Sequence, residues 1–257
     1  MAEHDLPAAR TVLITGGGSQ LGIGRATAIR LAQTGWSIAI LDRDGDGAKR
    51  VAAEMADTYG VQSLGLGVDV TDQAAIDAAV TTVEAQLPPI IGLINAAGVA
   101  SPTPFLEVTT EEWDRIFDVN MRSAFLVTQR VLPTMIEARV GRITCISSIS
   151  ARRGGGTYSK VPYSAAKAAL IGFTRSLARE VGEFGITVNC VAPGAVDTEF
   201  MGGPLADETR AAHESAALIP RMANVEDVSS ALAYLLSQDA GFITAATLDI
   251  NGGLQIS

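Results

Sequence analysis

The sequence has few of the residues from which metal sites and disulfide frameworks are built, with two cysteines and two histidines among 257 residues. Cys145 and Cys190 each lie within a run of apolar and β-branched residues, which is typical of buried free thiols. No Cys/His cluster accompanies them. The sequence therefore indicates neither a disulfide nor a metal site.

Basic residues are also scarce, and long apolar runs are missing. The 19 basic residues are outnumbered by 28 acidic ones, for a net charge of −9, which argues against nucleic acid and anionic membranes as partners. No apolar run approaches the roughly 18 residues of a membrane-spanning helix, and Met1 to Asp5 is acidic, unlike a signal peptide. With 47% hydrophobic residues, the composition predicts a folded, cytoplasmic protein.

What the chain does contain is a regular alternation of short β-like runs and amphipathic helical stretches. The predicted strands are 11–14, 37–41, 64–68, 90–94, 142–146, 187–191 and 247–250. The predicted helices are 24–34, 45–59, 73–86, about 111–138, 163–184 and 225–236. Strands this apolar, separated by helices, predict a parallel sheet covered on both faces. We therefore expect one α/β domain over residues 1–257, a doubly wound Rossmann-type sheet of about seven strands with ligands beyond their carboxyl ends.

Tyr163 and Lys167 are four residues apart in an Ala-rich segment, so they share a face of the predicted helix. Pro162 suits the first turn of that helix. A free tyrosine has a pKa of about 10, and lowering it by roughly 3 units requires on the order of 4 kcal/mol. One ammonium at about 4 Å supplies roughly that much at an effective dielectric near 20. Such pairs also arise by chance, so the acid/base interpretation depends on a cofactor site elsewhere in the chain.

A glycine-rich turn and an acidic strand end indicate that cofactor site. Residues 15–24 read Thr-Gly-Gly-Gly-Ser-Gln-Leu-Gly-Ile-Gly, between a predicted strand and a predicted helix, as in turns that approach a pyrophosphate. Asp42 ends the next strand, 18 residues after Gly24, where a carboxylate accepts both ribose hydroxyls of the adenosine half and repels a 2′-phosphate. Arg43 could instead meet such a phosphate. Repulsion from Asp42 favours NAD over NADP.

Polar and small residues follow the next strands. Asp69, after the third strand, either meets the adenine amino group or is a solvated loop acid. Residues 95–98, Asn-Ala-Ala-Gly, supply the small side chains that a backbone close to a ligand needs. Asn120 lies within the long predicted helix, which is unfavourable for Asn unless its side chain has a partner.

In their joint order and spacing, these motifs resemble the short-chain dehydrogenase/reductase family, in its single-domain branch, over nearly the whole chain. The matching residues are Thr15, Gly16, Gly22, Ile23, Gly24, Asp42, Asp69, Asn95, Ala96, Ala97, Gly98, Asn120, Ser148, Tyr163, Lys167, Pro193 and Gly194. The resemblance implies that Tyr163 is the catalytic acid/base and that Lys167 lowers its pKa and holds the nicotinamide ribose. It also implies that Ser148 polarises the carbonyl and that Asn120 positions a relay water.

The resemblance and the motifs together predict a set of cofactor-binding residues. These are Gly16, Ser19, Gln20, Leu21, Gly22, Ile23, Asp42, Asp69, Val70, Asn95, Ala96, Gly98, Tyr163, Lys167, Pro193, Gly194, Val196 and Thr198. Val196 and Thr198 are implied to hold the carboxamide. A substrate-covering segment is expected at about 200–221, with apolar residues at Phe200, Met201, Leu205, Leu218 and Ile219. Association into a homodimer or homotetramer through the long helices is implied as well.

The chain departs from the family pattern in three places, none of which removes a catalytic group. The glycine turn is longer than usual, so the roles of 19–21 are open; Ala96 replaces the usual second Asn; and the interval from Ser148 to Tyr163 is also long. Counting back 13 residues from Tyr163 reaches Ser150, whereas reading forward from strand five reaches Ser148. We favour Ser148, because the glycine-rich loop beyond the strand can absorb extra residues.

That loop supplies the predicted substrate residues, which are Ser150, Arg152, Arg153 and Tyr158. Arg152 and Arg153 are either solvated or subunit-facing, or one of them binds a carboxylate, phosphate or sulfonate with its guanidinium fork. Tyr158 has no lysine at the fourth position, so it is not a second acid/base candidate.

The sequence therefore predicts an NAD(H)-dependent oxidoreductase that interconverts a secondary alcohol and its ketone. The first alternative is an NADPH-dependent 3-oxoacyl-thioester (acyl-carrier-protein) reductase of the same fold, which Asp42 disfavours. The second is a non-catalytic, dinucleotide-sensing regulator, which has no need of all four catalytic groups.

Overall fold

The apolar runs of the sequence form a seven-stranded parallel sheet in the computed structural model, which describes residues 5–198, 200 and 207–256. The strands are β1 (Thr11–Thr15), β2 (Ser37–Asp42), β3 (Ser63–Gly67), β4 (Ile90–Asn95), β5 (Gly141–Ile146), β6 (Ile186–Pro193) and β7 (Thr247–Ile250). The helices are α1 (Ile23–Gln33), α2 (Gly45–Tyr59), α3 (Gln73–Gln86), α4 (Thr110–Phe117), α5 (Ser123–Ala138), α6 (Ser150–Arg153), α7 (Val161–Val181), α8 (Asp207–Ala216) and α9 (Val225–Leu235).

The strand order is β3-β2-β1-β4-β5-β6-β7, so successive strands extend outward from the centre in both directions. The order reverses between β1 and β4, whose last residues, Thr15 and Asn95, pair in register. In open parallel sheets, ligands bind beyond the carboxyl ends at such a switch point. The predicted doubly wound α/β fold is confirmed, and its topology places the ligand site beside the β1–α1 turn.

Two apolar layers, one on each face, hold the helices to the sheet. On one face, α1, α2 and α9 contribute buried side chains such as Leu31 and Leu232. On the other, α3, α5 and α7 contribute buried side chains such as Val80 and Val131. Both faces of every central strand are therefore covered, which is why these strands lack a polar alternation in sequence.

The long helix predicted over about 111–138 is instead two helices joined by a π-turn. α4 ends at Phe117, and residues Asp118–Arg122 form a π-turn in which the Ser123 N–H donates to the Asp118 carbonyl. Asn120 is buried in this turn. A π-turn adds one residue and shifts the side chains after it by about 100° around the helix axis. The sequence pattern does not reveal this shift because α4, before the turn, buries only Ile116 among its residues.

The helix α8 was not predicted. None of its described side chains is buried, so it presents no apolar stripe for a sequence pattern to detect. It belongs to the predicted covering segment, of which residues 201–206, including Met201 and Leu205, lie outside the described residues.

Candidate active site

The carboxyl ends of the strands open into a cavity of about 1220 Å³. Its walls come from the β1–α1 turn, the segments after β2 to β6, the first turns of α7, and α8. Most of the predicted site residues line it, namely Gly16, Ser19, Gly22, Ile23, Asp42, Asp69, Val70, Ala96, Gly98, Ser148, Ser150, Arg153, Tyr158, Tyr163, Lys167, Pro193, Gly194, Val196 and Thr198.

Tyr163 and Lys167 lie in this cavity one turn apart on α7, which begins at Val161 with a proline in its first turn. Both are nearly buried, with 7% and 3% of their surfaces exposed. The Lys167 ammonium donates to the Ile146 carbonyl at 2.8 Å and lies 5.7 Å from the Tyr163 ring centroid. The Ser147 hydroxyl donates to the Lys167 carbonyl at 2.7 Å. Two hydrogen bonds thus fix this turn of α7 against the end of β5.

The electrostatics of the pair differ from the sequence-based expectation. Burial raises the pKa of Tyr163 to about 12, and a hydrogen bond with Ser148 offsets only part of that rise. Burial also lowers the pKa of Lys167 to about 8. Burial thus opposes the lowering of the Tyr163 pKa that the sequence predicts, because loss of solvation disfavours the phenolate. Near neutral pH the tyrosine is protonated and the lysine is charged.

Ser148 and Ser150 have different partners. The Ser148 hydroxyl is hydrogen-bonded with Tyr163 and accepts from the Ser150 N–H at 3.1 Å. The Ser150 hydroxyl pairs with that of Ser159 at 3.0 Å, within the glycine-rich loop. The structure therefore places Ser148, and not Ser150, against the tyrosine hydroxyl.

Asn120 has the partners that its position in a helix requires. Its side-chain amide donates to the carbonyls of Val99 and Ile116 at 3.0 and 2.9 Å, and its side-chain oxygen accepts from the Val99 N–H at 3.2 Å. The side chain ties the segment after β4 to the π-turn and does not line the cavity. The geometry thus gives the Asn120 side chain a bracing contact, and the predicted relay water is not held by its amide hydrogens.

The glycine turn packs closely against the segment after β4. Gly16 has a φ of +71°, and a Cβ there would lie 2.8 Å from the Ala97 Cα. A Cβ on Gly24 would lie 2.7 Å from the Gly16 carbonyl oxygen. The Thr15 hydroxyl accepts from the N–H groups of Ala96 and Ala97, each at 3.1 Å. Backbone contacts at these distances require glycine and small residues on both segments.

Three predicted cofactor residues lie away from the cavity. The extra residues of the glycine turn project into solvent, since Gln20 is exposed and Leu21 is 60% exposed. Asn95, still within β4, is buried and donates to the Thr128 hydroxyl at 3.0 Å. Side chains alternate between the two faces of a strand, so Asn95 points to α5 while the residues after it border the cavity.

Two carboxylates lie at the opposite end of the cavity from Tyr163. The Asp42 oxygens accept from the Gly18 and Asp44 N–H groups at 2.8 and 2.9 Å, which holds the carboxylate beside the glycine turn. Asp69 accepts from the N–H and the hydroxyl of Thr71 at 2.9 and 2.7 Å. These two hydrogen bonds, with a smaller contribution from the nearby Arg43 charge, lower the pKa of Asp69. Arg43 lines the cavity as well.

The two adjacent arginines of α6 point in different directions. Arg152 forms an ion pair with Asp249 of β7 at 3.1 Å and does not line the cavity, so its predicted substrate role is not supported by its position. Arg153 lines the cavity, and its guanidinium donates to the Leu254 carbonyl at 3.4 Å.

The covering segment reaches the catalytic end. The Phe200 and Tyr163 ring centroids are 6.1 Å apart, and α8 borders the cavity through residues that include His213. Leu218 and Ile219 border a neighbouring cavity instead.

Three contributing residues were given no role from the sequence, although Thr15 belongs to the matching motif. Thr15, Ile146 and Ser159 contribute a strand-end hydroxyl, a backbone carbonyl and a loop hydroxyl respectively. Only Thr15, a polar residue closing an apolar strand, carried a detectable signal.

Searches for other kinds of site in the described part of the chain give a negative result. No group of three or more His, Cys, Asp or Glu residues in 5–198, 200 and 207–256 is arranged to hold a metal ion. Over the same ranges, no helix has the length and apolarity needed to cross a bilayer.

Comparison with known proteins agrees with the fold. Residues 16–255 match the family whose model is described as enoyl-(acyl carrier protein) reductase. An uncharacterized short-chain type dehydrogenase/reductase of Sinorhizobium fredii is 37% identical over 96% of this chain and 98% of its own length. The 3-oxoacyl-[acyl-carrier-protein] reductase of Escherichia coli is 36% identical over 95% of this chain and 97% of its own.

Two solved structures from Brucella melitensis are similar throughout. One, a 3-oxoacyl-[acyl-carrier protein] reductase, has a TM-score of 0.90 at 30% identity and covers 99% of this chain and 93% of its own. The other, a reductase of the same name with bound NAD, has a TM-score of 0.88 at 29% identity and covers 96% and 92%. The chain belongs to the short-chain dehydrogenase/reductase family.

Proposed function

We propose that this protein is an NAD(H)-dependent oxidoreductase that interconverts a secondary alcohol and its ketone by hydride transfer, with Tyr163 as the acid/base. The observation that carries the proposal is the arrangement of one cavity. The hydrogen-bonded Ser148–Tyr163 pair and the buried Lys167 ammonium lie at one end, and the Asp42 carboxylate lies at the other.

The residues between these ends fit a nicotinamide dinucleotide, the cofactor class of the family. The first turn of α1 borders the cavity, and its N-cap residue, Gly22, provides no side-chain cap. The amides of that turn suit the negative charge of a pyrophosphate. Glycine and alanine at 96–98 leave room on the side of the nicotinamide, where a Cβ on Gly98 would approach the Lys167 ammonium to 3.2 Å.

For ketone reduction, the chain's residues supply the proton and the polarising contacts. A nicotinamide cofactor held in this cavity would supply the hydride to the carbonyl carbon. Tyr163 donates its hydroxyl proton to the carbonyl oxygen, and Ser148 donates a hydrogen bond to the same oxygen. Because its pKa is about 12, Tyr163 is fully protonated at neutral pH and ready to act as the acid.

Alcohol oxidation requires the opposite proton movement, from the substrate hydroxyl to Tyr163. A pKa of about 12 opposes this, so phenolate needs more positive charge than the Lys167 ammonium alone provides. The oxidised nicotinamide ring is cationic and adds to the lysine. Tyr163 and Lys167 therefore support both directions only with the cofactor bound.

Asp42 supports NAD(H) over NADP(H). Both of its oxygens accept backbone N–H groups, so the carboxylate is held at the cavity wall and cannot swing away without losing them. A 2′-phosphate placed there meets a fixed negative charge, whereas ribose hydroxyls can donate to it. Arg43 lines the same region and is a cation that favours a phosphate.

The proposal is tested with a panel of ketones and secondary alcohols followed at the nicotinamide absorbance, with NAD(H) and NADP(H) in parallel. We expect turnover with NADH and a preference over NADPH. Asp42→Ala removes the repulsion and exposes Arg43, and it should shift that preference toward NADPH by about tenfold or more. Arg43→Ala in the Asp42→Ala background should remove part of the gained NADPH affinity. A wild type that prefers NADPH contradicts our interpretation of Asp42.

A second candidate is reduction of a 3-oxoacyl thioester. The relatives and solved structures named as 3-oxoacyl-[acyl-carrier-protein] reductases, alike over at least 95% of this chain, favour it. Adding a 3-oxoacyl thioester and the matching simple ketone to the panel separates the candidates by their kcat/KM values. Turnover of any compound excludes a regulator that only senses dinucleotide.

We also propose that the protein assembles as a homodimer or homotetramer. Among the described residues, Phe105, Leu106 and Phe242 are 63%, 97% and 104% exposed, and side chains this apolar favour burial against another subunit. Sedimentation measures the assembly directly. The cytoplasmic location stays a prediction from composition.

A further inference from the structure

We infer that the substrate carries an anionic group and that Arg153 binds it. The inference rests on the proposed function, which it deepens by naming the class of substrate. The observation behind it is that two neighbouring arginines on α6 differ in their contacts. Arg152 forms an ion pair outside the cavity, and Arg153 lines the cavity.

Arg152 cannot be the anion-binding group because its charge is already compensated. It lies 3.1 Å from the Asp249 carboxylate, and both side chains are largely buried, with 21% and 17% exposed. Its guanidinium also approaches the Thr247 carbonyl at 3.5 Å. These contacts join α6 to β7 and leave Arg152 no part in the cavity.

Arg153, by contrast, has no such compensation. Within residues 5–198, 200 and 207–256, no ion pair joins it to a carboxylate, and its one hydrogen bond is the long contact with the Leu254 carbonyl at 3.4 Å. The carboxylates that line the cavity belong to other elements, such as Glu111 and Asp114 on α4 and Glu208 on α8. A guanidinium that lines a cavity in this way offers its planar fork to a carboxylate, phosphate or sulfonate.

The position of Arg153 relative to the reacting groups indicates where the anion binds. α6 begins at Ser150, two residues after the Ser148 that contacts Tyr163. At about 1.5 Å of rise per residue, the Cα atoms of Ser150 and Arg153 are about 4.5 Å apart along the helix axis. Because Arg153 lines the same cavity as Ser148 and Tyr163, its anion and the reacting carbonyl can belong to one short molecule, such as an oxo acid or hydroxy acid, or its phosphonate or sulfonate analogue.

The glycine-rich loop beyond Arg153 leaves open space beside two of its three glycines. A Cβ on Gly154 or Gly156 would meet no other heavy atom within 4 Å, whereas a Cβ on Gly155 would clash with the Ser159 carbonyl. The side chain of Arg153 is exposed, so the attraction is partly screened by solvent and salt. A charge-assisted, two-pronged contact under these conditions is expected to favour an anionic substrate over its neutral isostere by roughly 10- to 100-fold.

The test compares kcat/KM for acid and neutral pairs with NADH as the reductant. The probes are 3-oxobutanoate and its methyl ester, with 2-oxopropylphosphonate and 2-oxopropanesulfonate to distinguish the anion types. We expect kcat/KM for each anion that fits to exceed kcat/KM for the ester by at least about tenfold. This ratio should decrease at about 0.5 M salt, which screens the charge of Arg153. Where turnover is too slow, the same compounds are titrated against the fluorescence of bound NADH, which reports the same discrimination as binding.

Three variants identify the residue responsible. Arg153→Gln should lower kcat/KM for the acid to that for the ester. Arg153→Lys should keep part of the acid-to-ester ratio, because lysine retains the charge but lacks the planar guanidinium. Arg152→Gln is the matched control and should leave the acid-to-ester ratio unchanged, although it breaks the pair with Asp249.

The outcomes separate this inference from the proposed function. NADH binding with equal rates or equal binding for acid and ester in the wild type overturns the inference and leaves the proposed function standing. A gap that Arg152→Gln abolishes and Arg153→Gln keeps also overturns it. Absence of NADH binding overturns the proposed function itself.

Discussion

The half of the cavity beside the β1–α1 turn and the half beneath α6 and α8 are held together in different ways. In the first, backbone packs on backbone, and a Cβ on Gly16 or Gly24 would approach main-chain atoms to less than 3 Å. In the second, a Cβ on Gly154 or Gly156 would have no neighbours within 4 Å, and of the three loop glycines only Gly155 packs against backbone, at the Ser159 carbonyl. Its helix α8 has no buried side chain among those described, and an ion pair between Arg210 and Asp197 at 2.9 Å ties it down.

This difference in packing explains why the sequence identifies the first half of the cavity more clearly than the second. Close backbone approach admits few residue types, so a dinucleotide half leaves a recognisable pattern of glycines and an acidic strand end. Exposed side chains on a loop and a surface helix are subject to weaker packing restraints. Tyr163 and Ser148 lie at the boundary between the two halves. Substitutions at these positions test whether they belong with the closely packed half beside the β1–α1 turn.

The largest effect is expected at Tyr163. Tyr163→Phe keeps the ring that packs against Phe200 and removes the titrating hydroxyl. Loss of a positioned general acid should lower kcat about 10²- to 10⁴-fold while NADH still binds. Tyr158→Phe, in the glycine-rich loop that lines the same cavity, is the control and should change substrate affinity at most. A Tyr163→Phe enzyme that keeps more than about a few per cent of its activity excludes the acid/base role.

The next effect compares the two serines. Ser148→Ala removes the hydroxyl that contacts Tyr163 and should cost roughly 2–4 kcal/mol of transition-state stabilisation, as measured by kcat/KM. Ser150→Ala removes a contact with Ser159 in the loop and should act mainly on KM. If Ser150→Ala is the inactive variant, the carbonyl is polarised from the loop and the boundary between the halves is misplaced.

A pair of glycine substitutions compares the halves directly. Gly24→Ala forces a Cβ against the Gly16 carbonyl and the Gly17 Cα at 2.7 and 2.8 Å, neither of which can rotate away. We expect destabilisation of about 1–3 kcal/mol and weaker NADH binding. Gly156→Ala, with open space around it, should change stability by less than about 0.5 kcal/mol. Thermal unfolding of both variants, with and without NADH, measures the two changes in stability. Equal losses of stability would contradict the difference in packing between the two halves.

The smallest effect concerns pH. Burial lowers the pKa of Lys167 to about 8, so the ammonium is present below that pH and is lost above it. If the charged form holds the nicotinamide ribose, NADH affinity should fall several-fold from about pH 7 to about pH 9.5. Tyr163 does not titrate in this window, since its pKa is about 12. Fluorescence titrations should show the decline in the wild type and none in Lys167→Met; a decline that persists in the variant assigns it to another group.

The sequence predicted the fold and family, which are confirmed, because apolar strands and glycine turns are local patterns. It did not predict the π-turn at Asp118–Arg122, since α4 before the turn buries only Ile116 and offers too short an apolar pattern to show a change of phase. The positions of Asn95, Gln20 and Leu21 were also out of reach. Whether a residue at a strand end or in a long turn faces a ligand depends on where the strand stops and the turn bulges, which neighbouring strands and helices decide.

The burial of Tyr163 could not be predicted from the sequence for a related reason. The arithmetic for Tyr163 counted one favourable charge and omitted the burial of the phenol, which only the packed structure reveals. Likewise, Arg152 and Arg153 were equivalent in sequence, and the three-dimensional position of Asp249, far along the chain, distinguishes them.

The most direct test of the central claim is transfer of deuterium from NADH dideuterated at nicotinamide C4 to the ketone that the panel identifies as the best substrate. We predict one deuterium on the carbinol carbon of the product from the wild type, and no product from Tyr163→Phe under conditions where it still binds NADH. Product without deuterium, or labelled product formed equally well by Tyr163→Phe, contradicts hydride transfer assisted by Tyr163.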